Sequence, residues 1–312
     1  MYSQIARNKR RSVVVIVLFL LVWAGVGALL GLLFGSSKNA YQTGGPTLAA
    51  ILGGMAVAAA LAMLAVLWSL VSGRNLVLAA SGAHPADPQQ YMALHNIVEA
   101  VAIGAGLPKP QVYVIDDPSP NAFATGTSPN NAAITATTGL LQMMNREELE
   151  GVISHEMSHI KNYDVRLILI VSTLVGLAGL IASLIWRSTF YGRRDRDSDQ
   201  TMIIVLGAAV LFTIIAVIVG PLIQLALSRS RESLADVSGV ELTRNPVGLI
   251  GALRKLAAND KPFANFNHAT AAMCIDDPLQ HHERWYHHLF DTHPPLSERI
   301  AVLERIARGE LV

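Results

Sequence analysis

From Val13 to Phe34 the chain carries no charged residue, and a second uncharged stretch runs from Thr47 to Val71. Each is long enough to cross a bilayer, which takes about 20 residues of α-helix. In hydrocarbon every backbone N–H and C=O has to be satisfied within the segment, so such stretches are confined to helices. Leu167 to Trp186 and Thr201 to Leu227 are two further stretches of this kind, the last interrupted by Pro221, where a kink is expected. The averages agree with a membrane protein: 52% hydrophobic residues, 15% charged residues and a mean hydropathy of +0.40. A net charge of +1 is too close to neutral to suggest a nucleic-acid partner. Cys274 is the single cysteine, which rules out an intrachain disulfide and a cysteine metal cluster and reads as a small packing residue.

The first stretch follows a basic tail with Arg7, Lys9, Arg10 and Arg11. Its apolar run exceeds the usual core of a signal peptide, about 7–15 residues, and no convincing small-x-small cleavage site follows. It reads as a retained signal anchor. Gly27 and Gly31 within it fit close helix packing, and equally a flexible small-residue stretch. The basic tail, against the single Lys38 in the first loop, places the N-terminus in the cytoplasm. Four crossings put the Arg187–Gln200 loop outside, although it holds Arg187, Arg193, Arg194 and Arg196. Positive-inside statistics disfavour that placement. Two readings remain: interleaved Asp195, Asp197 and Asp199 offset the arginines, or the second pair is a hairpin that does not fully cross.

Residues 73–164 are mixed in character. Asp87-Pro88 reads as an N-cap pair, before a helix with Leu94, Ile97, Val98 and Val101 that stops at Gly106. Gln111–Ile115, Asn121–Gly126 and Ala132–Thr137 read as strands of a small antiparallel sheet, the last two joined by a Ser128-Pro129-Asn130-Asn131 turn. Asn121, Ala122, Phe123 and Ala124 would then bind an extended substrate backbone along the sheet edge, or form a plain structural strand. Next comes His155-Glu156-Met157-Ser158-His159, the His-Glu-x-x-His spacing of zinc metallopeptidases. Histidines four apart lie one turn apart on one helix face, so both imidazoles can reach one ion. Glu156 projects beside that seam, where it can take a proton from a water that the metal has made acidic. Asn145 and Glu148 form a capping box for this helix, and Leu149, Val152, Ile153 and Ile160 form its apolar side.

Two histidines leave zinc short of a third protein ligand. Glu232 and Asp236 follow the fourth apolar stretch, four apart on one helix face. Glu232 can ligate zinc, while Asp236 accepts a hydrogen bond from the outer nitrogen of a ligating histidine. His281, His282, His287 and His288 have no carboxylate in matching spacing and read as surface or packing histidines. Ile300, Leu303 and Ile306 give the chain an amphipathic last helix.

With these motifs in order, the chain resembles the HtpX-type membrane zinc metallopeptidases, relatives of the CaaX prenyl endopeptidases. The resemblance rests on the two N-terminal spans, Asn121–Gly126, His155–His159, the second hydrophobic pair, Arg231–Asp236 and Thr292–Arg299. It implies a stress-response protease of the bacterial inner membrane, with a cytoplasmic, zincin-like active site and misfolded membrane proteins as substrates. His293 falls in the segment that resembles the family's His-Pro motif; it either helps to stabilise an oxyanion or is structural in a proline-stiffened turn.

The expected fold is a mainly α integral membrane protein with about four transmembrane helices and an α+β protease domain. Its parts are 1–72 (tail and two spans), 73–164 (first protease part), 165–227 (second pair) and 228–312 (second protease part). The expected function is a zinc endopeptidase with one Zn2+ per chain, His155, His159 and Glu232 as ligands and Glu156 as base. Its partners would be protein substrates and the lipid bilayer. A zinc-binding transporter or sensor is the rival, and ionisable residues inside the spans would favour it. The four stretches hold none beyond the polar Gln224.

Overall fold

The computed structural model describes residues 2–34, 48–171, 220–259 and 294–310, together with isolated positions between 179 and 213. His293, Cys274, the His281–His288 cluster, Lys38, most of the second apolar pair and the Arg193–Gln200 part of its loop lie outside the described residues.

Two long helices begin the chain, α1 (Tyr2–Phe34) and α2 (Leu48–Ala80). Both are long and apolar enough to cross a membrane. They pack against each other in antiparallel fashion at small residues. A Cβ on Gly27 would lie 2.3 Å from Gly54 O, and one on Gly31 would lie 2.3 Å from Ala50 O. Backbone therefore meets backbone, which hydrogen side chains permit and any larger group blocks. The close-packing reading of Gly27 and Gly31 is the one this structure contains. Val13, Leu18, Leu21, Leu61, Leu64 and Val71 face away from the contact and are exposed, a surface suited to lipid.

Strand β1 (His84–Pro85) follows, then α3 (Met92–Ala105), β2 (Gln111–Ile115), β3 (Ala122–Gly126) and β4 (Ala132–Thr137). The Asp87 carboxylate accepts from Gln89 N at 2.8 Å and Gln90 N at 2.9 Å, holding a turn that precedes α3. At its other end Gly106, with φ 68°, closes α3 in the left-handed conformation that glycine adopts without penalty.

The sheet order is β1-β2-β4-β3, and it is mixed where an antiparallel sheet was expected. β1 and β2 are antiparallel, as are β3 and β4, but β2 and β4 are parallel, with Gln111 opposite Ala133. The cause is the connection after β2. Asp116–Asn121 carries the chain to the outer position, and β4 then returns into the gap beside β2. All six residues of β4 are buried, as a central strand covered on both faces requires.

After the short α4 (Thr138–Met143) comes α5 (Arg146–Lys161), which carries the His-Glu-x-x-His residues. Both halves of its capping box form: Glu148 N donates to Asn145 Oδ1 at 2.9 Å, and Asn145 N donates to Glu148 Oε2 at 2.8 Å. Lys255 Nζ donates to the same Glu148 oxygen at 2.6 Å. Every residue of α5 from Gly151 to Ile160 is buried. It is enclosed by α3, β3 and β4 and by α6 (Gly220–Thr243) and α7 (Pro246–Ala257), with α8 (Leu296–Ala307) packed on α6 and α7. One apolar core runs from Ala86 through Leu94, Ile134, Ile153 and Leu253 to Leu303, so sequence on both sides of the second apolar pair builds one body.

Gly151 sets the spacing of α5 and α7, since a Cβ there would lie 2.6 Å from Leu249 N. Gly151→Ala is expected to cost about 1–3 kcal/mol by overpacking. In contrast, Gly104→Ala in α3 meets nothing closer than Leu242 O at 3.9 Å. It should raise stability by about 0.5–1 kcal/mol. Thermal unfolding of the detergent-purified chain checks both signs.

Candidate metal centre

The i, i+4 spacing on α5 brings His155 and His159 to one face, with Nε2 atoms 3.2 Å apart and ring planes at 89°. α6 supplies the third group: Glu232 Oε2 lies 3.3 Å from His155 Nε2, and Oε1 lies 3.4 Å from His159 Nε2. Among the described residues, these three form the one group of histidines and acids whose donor atoms converge as metal ligands would. Glycine again permits the approach. Gly239 on α6 presses against the His155 backbone, where an added Cβ would sit 3.1 Å from His155 N. Ser158 ties the helices together by donating to Ala235 O at 3.1 Å.

Behind the donor atoms, each imidazole has a carboxylate at its far nitrogen. His155 Nδ1 lies 2.9 Å from Asp236 Oδ1, and His159 Nδ1 lies 3.1 Å from Asp164 Oδ2. With the Nδ1 proton donated to a carboxylate, Nε2 is the ring nitrogen turned towards the other donors. Asp236 is held in turn by Arg299 of α8 through a fork: Nε to Oδ2 at 2.9 Å and Nη2 to Oδ1 at 2.7 Å. His155, Glu156, Asp164, Glu232, Asp236 and Arg299 are all 3% exposed or less.

Such burial moves the ionisation equilibria. Desolvation opposes charge on His159, but Glu232 and Asp164 outweigh it and push the imidazole up to about 10. His155 is likewise raised, with Asp236 and Glu232 overcoming burial. Burial raises the Glu156 carboxyl, against the pull of both histidines and a hydrogen bond from the Ala124 N–H. Asp236 is lowered because Arg299 and His155 overcome its desolvation.

The strand beside the metal group is β3, at the sheet edge and packed on α5. Thr137 N donates to Asn121 O at 2.9 Å, so Asn121 turns its backbone towards β4, and the alternate residues Ala122 and Ala124 turn theirs outward. Outward-facing Ala122 N is taken by Asn121 Oδ1 at 2.9 Å, and Ala124 N by Glu156. Phe123 points the other way and packs with Val77, Ile115 and Leu169 beneath the sheet. Of the expected site residues, the structure thus groups His155, Glu156, His159, Glu232, Asp236 and the Asn121–Ala124 backbone. His293 lies outside the described residues, while Pro294 and Pro295 lead directly into the helix that carries Arg299. Asp164 and Arg299 were not singled out from the sequence. Asp164 sits at the boundary between α5 and an apolar run, and Arg299 within the Thr292–Arg299 motif, which were the available signals.

Residues 88–307 match peptidase family M48. A protein described as "Protease HtpX homolog" from Lactobacillus helveticus is 42% identical over 313 residues, covering 98% of this chain and 100% of that protein. A second of the same description, from Streptococcus mutans, is 42% identical with the same coverage. The crystal structure of S. mikatae Ste24p aligns with a TM-score of 0.49 at 20% identity, covering 93% of this chain and 64% of that one.

The raised His159 value makes a pH prediction. A group whose folded pKa exceeds its ordinary 6.5 contributes stability that is complete below about pH 6.5 and is lost as pH rises through about 10. The metal-free protein should therefore show a Tm that falls across that window. At pH 7 the same proton must leave before Nε2 can take an ion, so metal uptake should release roughly one proton or more per site. Titration calorimetry in two buffers of different ionisation enthalpy measures the release.

Proposed function

This chain belongs to peptidase family M48 and is a membrane-associated metallopeptidase, and on that premise we propose that it is a zinc endopeptidase acting at the cytoplasmic face of the bacterial inner membrane. The observation that carries the proposal is the convergence of His155, His159 and Glu232 with Glu156 beside them. The donor set fits zinc: two imidazoles and a carboxylate are a known catalytic combination. A tetrahedron with bonds of about 2.0–2.2 Å has edges of about 3.3–3.6 Å. The two Nε2 atoms, 3.2 Å apart, stand near that size, and each has its own Glu232 oxygen alongside, Oε2 at 3.3 Å from His155 and Oε1 at 3.4 Å from His159.

Zinc held there supplies Lewis acidity, making a water acidic near neutral pH and polarising a peptide carbonyl. Asp236 and Asp164 fix the tautomer and orientation of the two ligating imidazoles, and Arg299 fixes Asp236. Glu156, its carboxyl raised by burial, takes the proton of the attacking water and delivers it to the leaving amine. Asn121, Ala122, Phe123 and Ala124 form the edge strand on which an extended substrate can pair, with the Ala122 and Ala124 N–H groups exchanging Asn121 Oδ1 and Glu156 for substrate carbonyls. His293, three residues ahead of α8 in the sequence, assists at the oxyanion.

The protease consists of 73–164, which lies between the spans of 1–72 and 165–227, and of 228–312, which follows the second pair. The N-terminal end of α1 is bonded to Asn162 and Asp164, which supports placing the basic tail and the metal group on one side of the membrane. Positive-inside bias makes that side the cytoplasm. Substrates are misfolded or damaged membrane proteins, cut in loops or ends close to the bilayer.

The test compares detergent-purified wild type with Glu156→Gln for bound zinc and for cleavage of an unfolded protein. Both should hold about one zinc per chain, with cleavage by the variant lower by on the order of 10²–10⁴. Equal cleavage by the variant removes Glu156 as the base. Zinc without cleavage in either protein favours a transporter or sensor.

A further inference from the structure

Asn8 lies in a run of basic residues, between exposed Lys9 and Arg10 on one side and Arg7 on the other, yet it is 3% exposed. Its amide reaches across 154 and 156 residues: Nδ2 donates to Asn162 O at 2.9 Å and to Asp164 Oδ1 at 2.6 Å. Both partners are acceptors, so the network itself fixes the amide orientation. Asp164 is fully buried, and its second oxygen is the one 3.1 Å from His159 Nδ1. The two oxygens of one carboxylate are thus shared between the first helix of the chain and a histidine of the metal group. The contact is reinforced at its rim. Lys9 Nζ sits 4.3 Å over the ring of Tyr163, the residue between the two acceptors, whose φ of 61° places it in the left-handed region.

We infer that Asn8 is a positioning residue for the metal centre, and that the start of α1 is a component of that centre as well as an anchor. A buried carboxylate with one oxygen unbound can turn about its Cβ–Cγ bond and lose its aim on the imidazole. Asn8 removes that freedom, and with it the wandering of His159 Nε2. Ser12 is buried on the same face of α1, but its hydroxyl donates within its own helix, to Asn8 O at 3.0 Å, and it has no part in the chain of contacts.

The inference rests on His159 being a zinc ligand, and zinc affinity in the full-length, detergent-purified chain tests it by chelator competition. Asn8→Leu keeps the size and removes the amide, and should weaken zinc binding about tenfold, the lower end for losing an outer partner of a ligand. Ser12→Ala should leave it unchanged. In an Asp164→Ala background, Asn8→Leu should add nothing, because its route to the histidine is gone. If Asn8→Leu does not fold, Asn8→Ser deletes the same donor with less bulk and gives the same readout. Binding within twofold of wild type overturns the inference while leaving the zinc reading intact. So does an equal loss in both backgrounds, which would mark a general loosening of the fold. A wild type that binds no zinc overturns both readings together.

Discussion

Arg299 grips both oxygens of Asp236 while Asp236 faces His155, and the arrangement of α5, α6 and α8 follows from that contact. A carboxylate or a guanidinium removed from water alone costs several kcal/mol, so each has to be met by a partner of suitable geometry. The planar fork of arginine meets a carboxylate with two parallel bonds. α8 therefore cannot shift along α6 without stranding a buried charge. Asp236 in turn cannot leave His155 without taking the acceptor from its Nδ1, which would then face the Arg299 guanidinium 3.4 Å away. The contact stabilises less than its Coulomb energy suggests, since desolvation offsets much of it. Its larger effect is to make one relative placement of three helices acceptable.

Different forces hold the other half of the molecule. In a bilayer, lipid tails would be as apolar as the side chains of α1 and α2, so burial alone would give little reason to associate, and the two helices meet by close backbone approach at Gly27, Gly31 and Gly54. In the core around α5, apolar burial is the driving term, and glycines serve another purpose. Gly151, Gly239 and Gly248 let neighbouring helices come near enough for short side chains to meet.

Local features were legible in the sequence. The capping box at Asn145 and Glu148 is a three-residue pattern with one physical meaning, and both of its bonds form. Gln111–Ile115 and Ala132–Thr137 carry the alternation and branching of strands, and β2 and β4 have those limits. Helical spacing also marked His155, His159, Glu232 and Asp236 as residues on shared faces. What spacing does not encode is which distant elements meet. The parallel pairing of β2 with β4 depends on where a six-residue connection deposits β3, and β1, at two residues, is too short to leave a pattern. Asn8 reads locally as one polar residue in a basic tail. Asp164 reads as the edge of an apolar run, and their contact becomes visible once the chain has folded. The second apolar pair falls mostly outside the described residues.

The metal helix is enclosed by other elements from Gly151 to Ile160, and this has a consequence for ion discrimination. An aperture lined by rotamers free to adjust would accept ions of many radii and rank them by affinity alone. Here the two imidazole nitrogens stand 3.2 Å apart, each with a Glu232 oxygen within 3.4 Å, on helices that approach closely at Gly239. Calcium, with bonds of about 2.3–2.6 Å and a preference for six to eight oxygens, would need the cage wider and differently furnished. Magnesium holds its waters and has little use for imidazole. For an ion held by these three residues, close helix packing would thus act as a size gauge, favouring small, nitrogen-tolerant ions over the abundant hard cations of the cell.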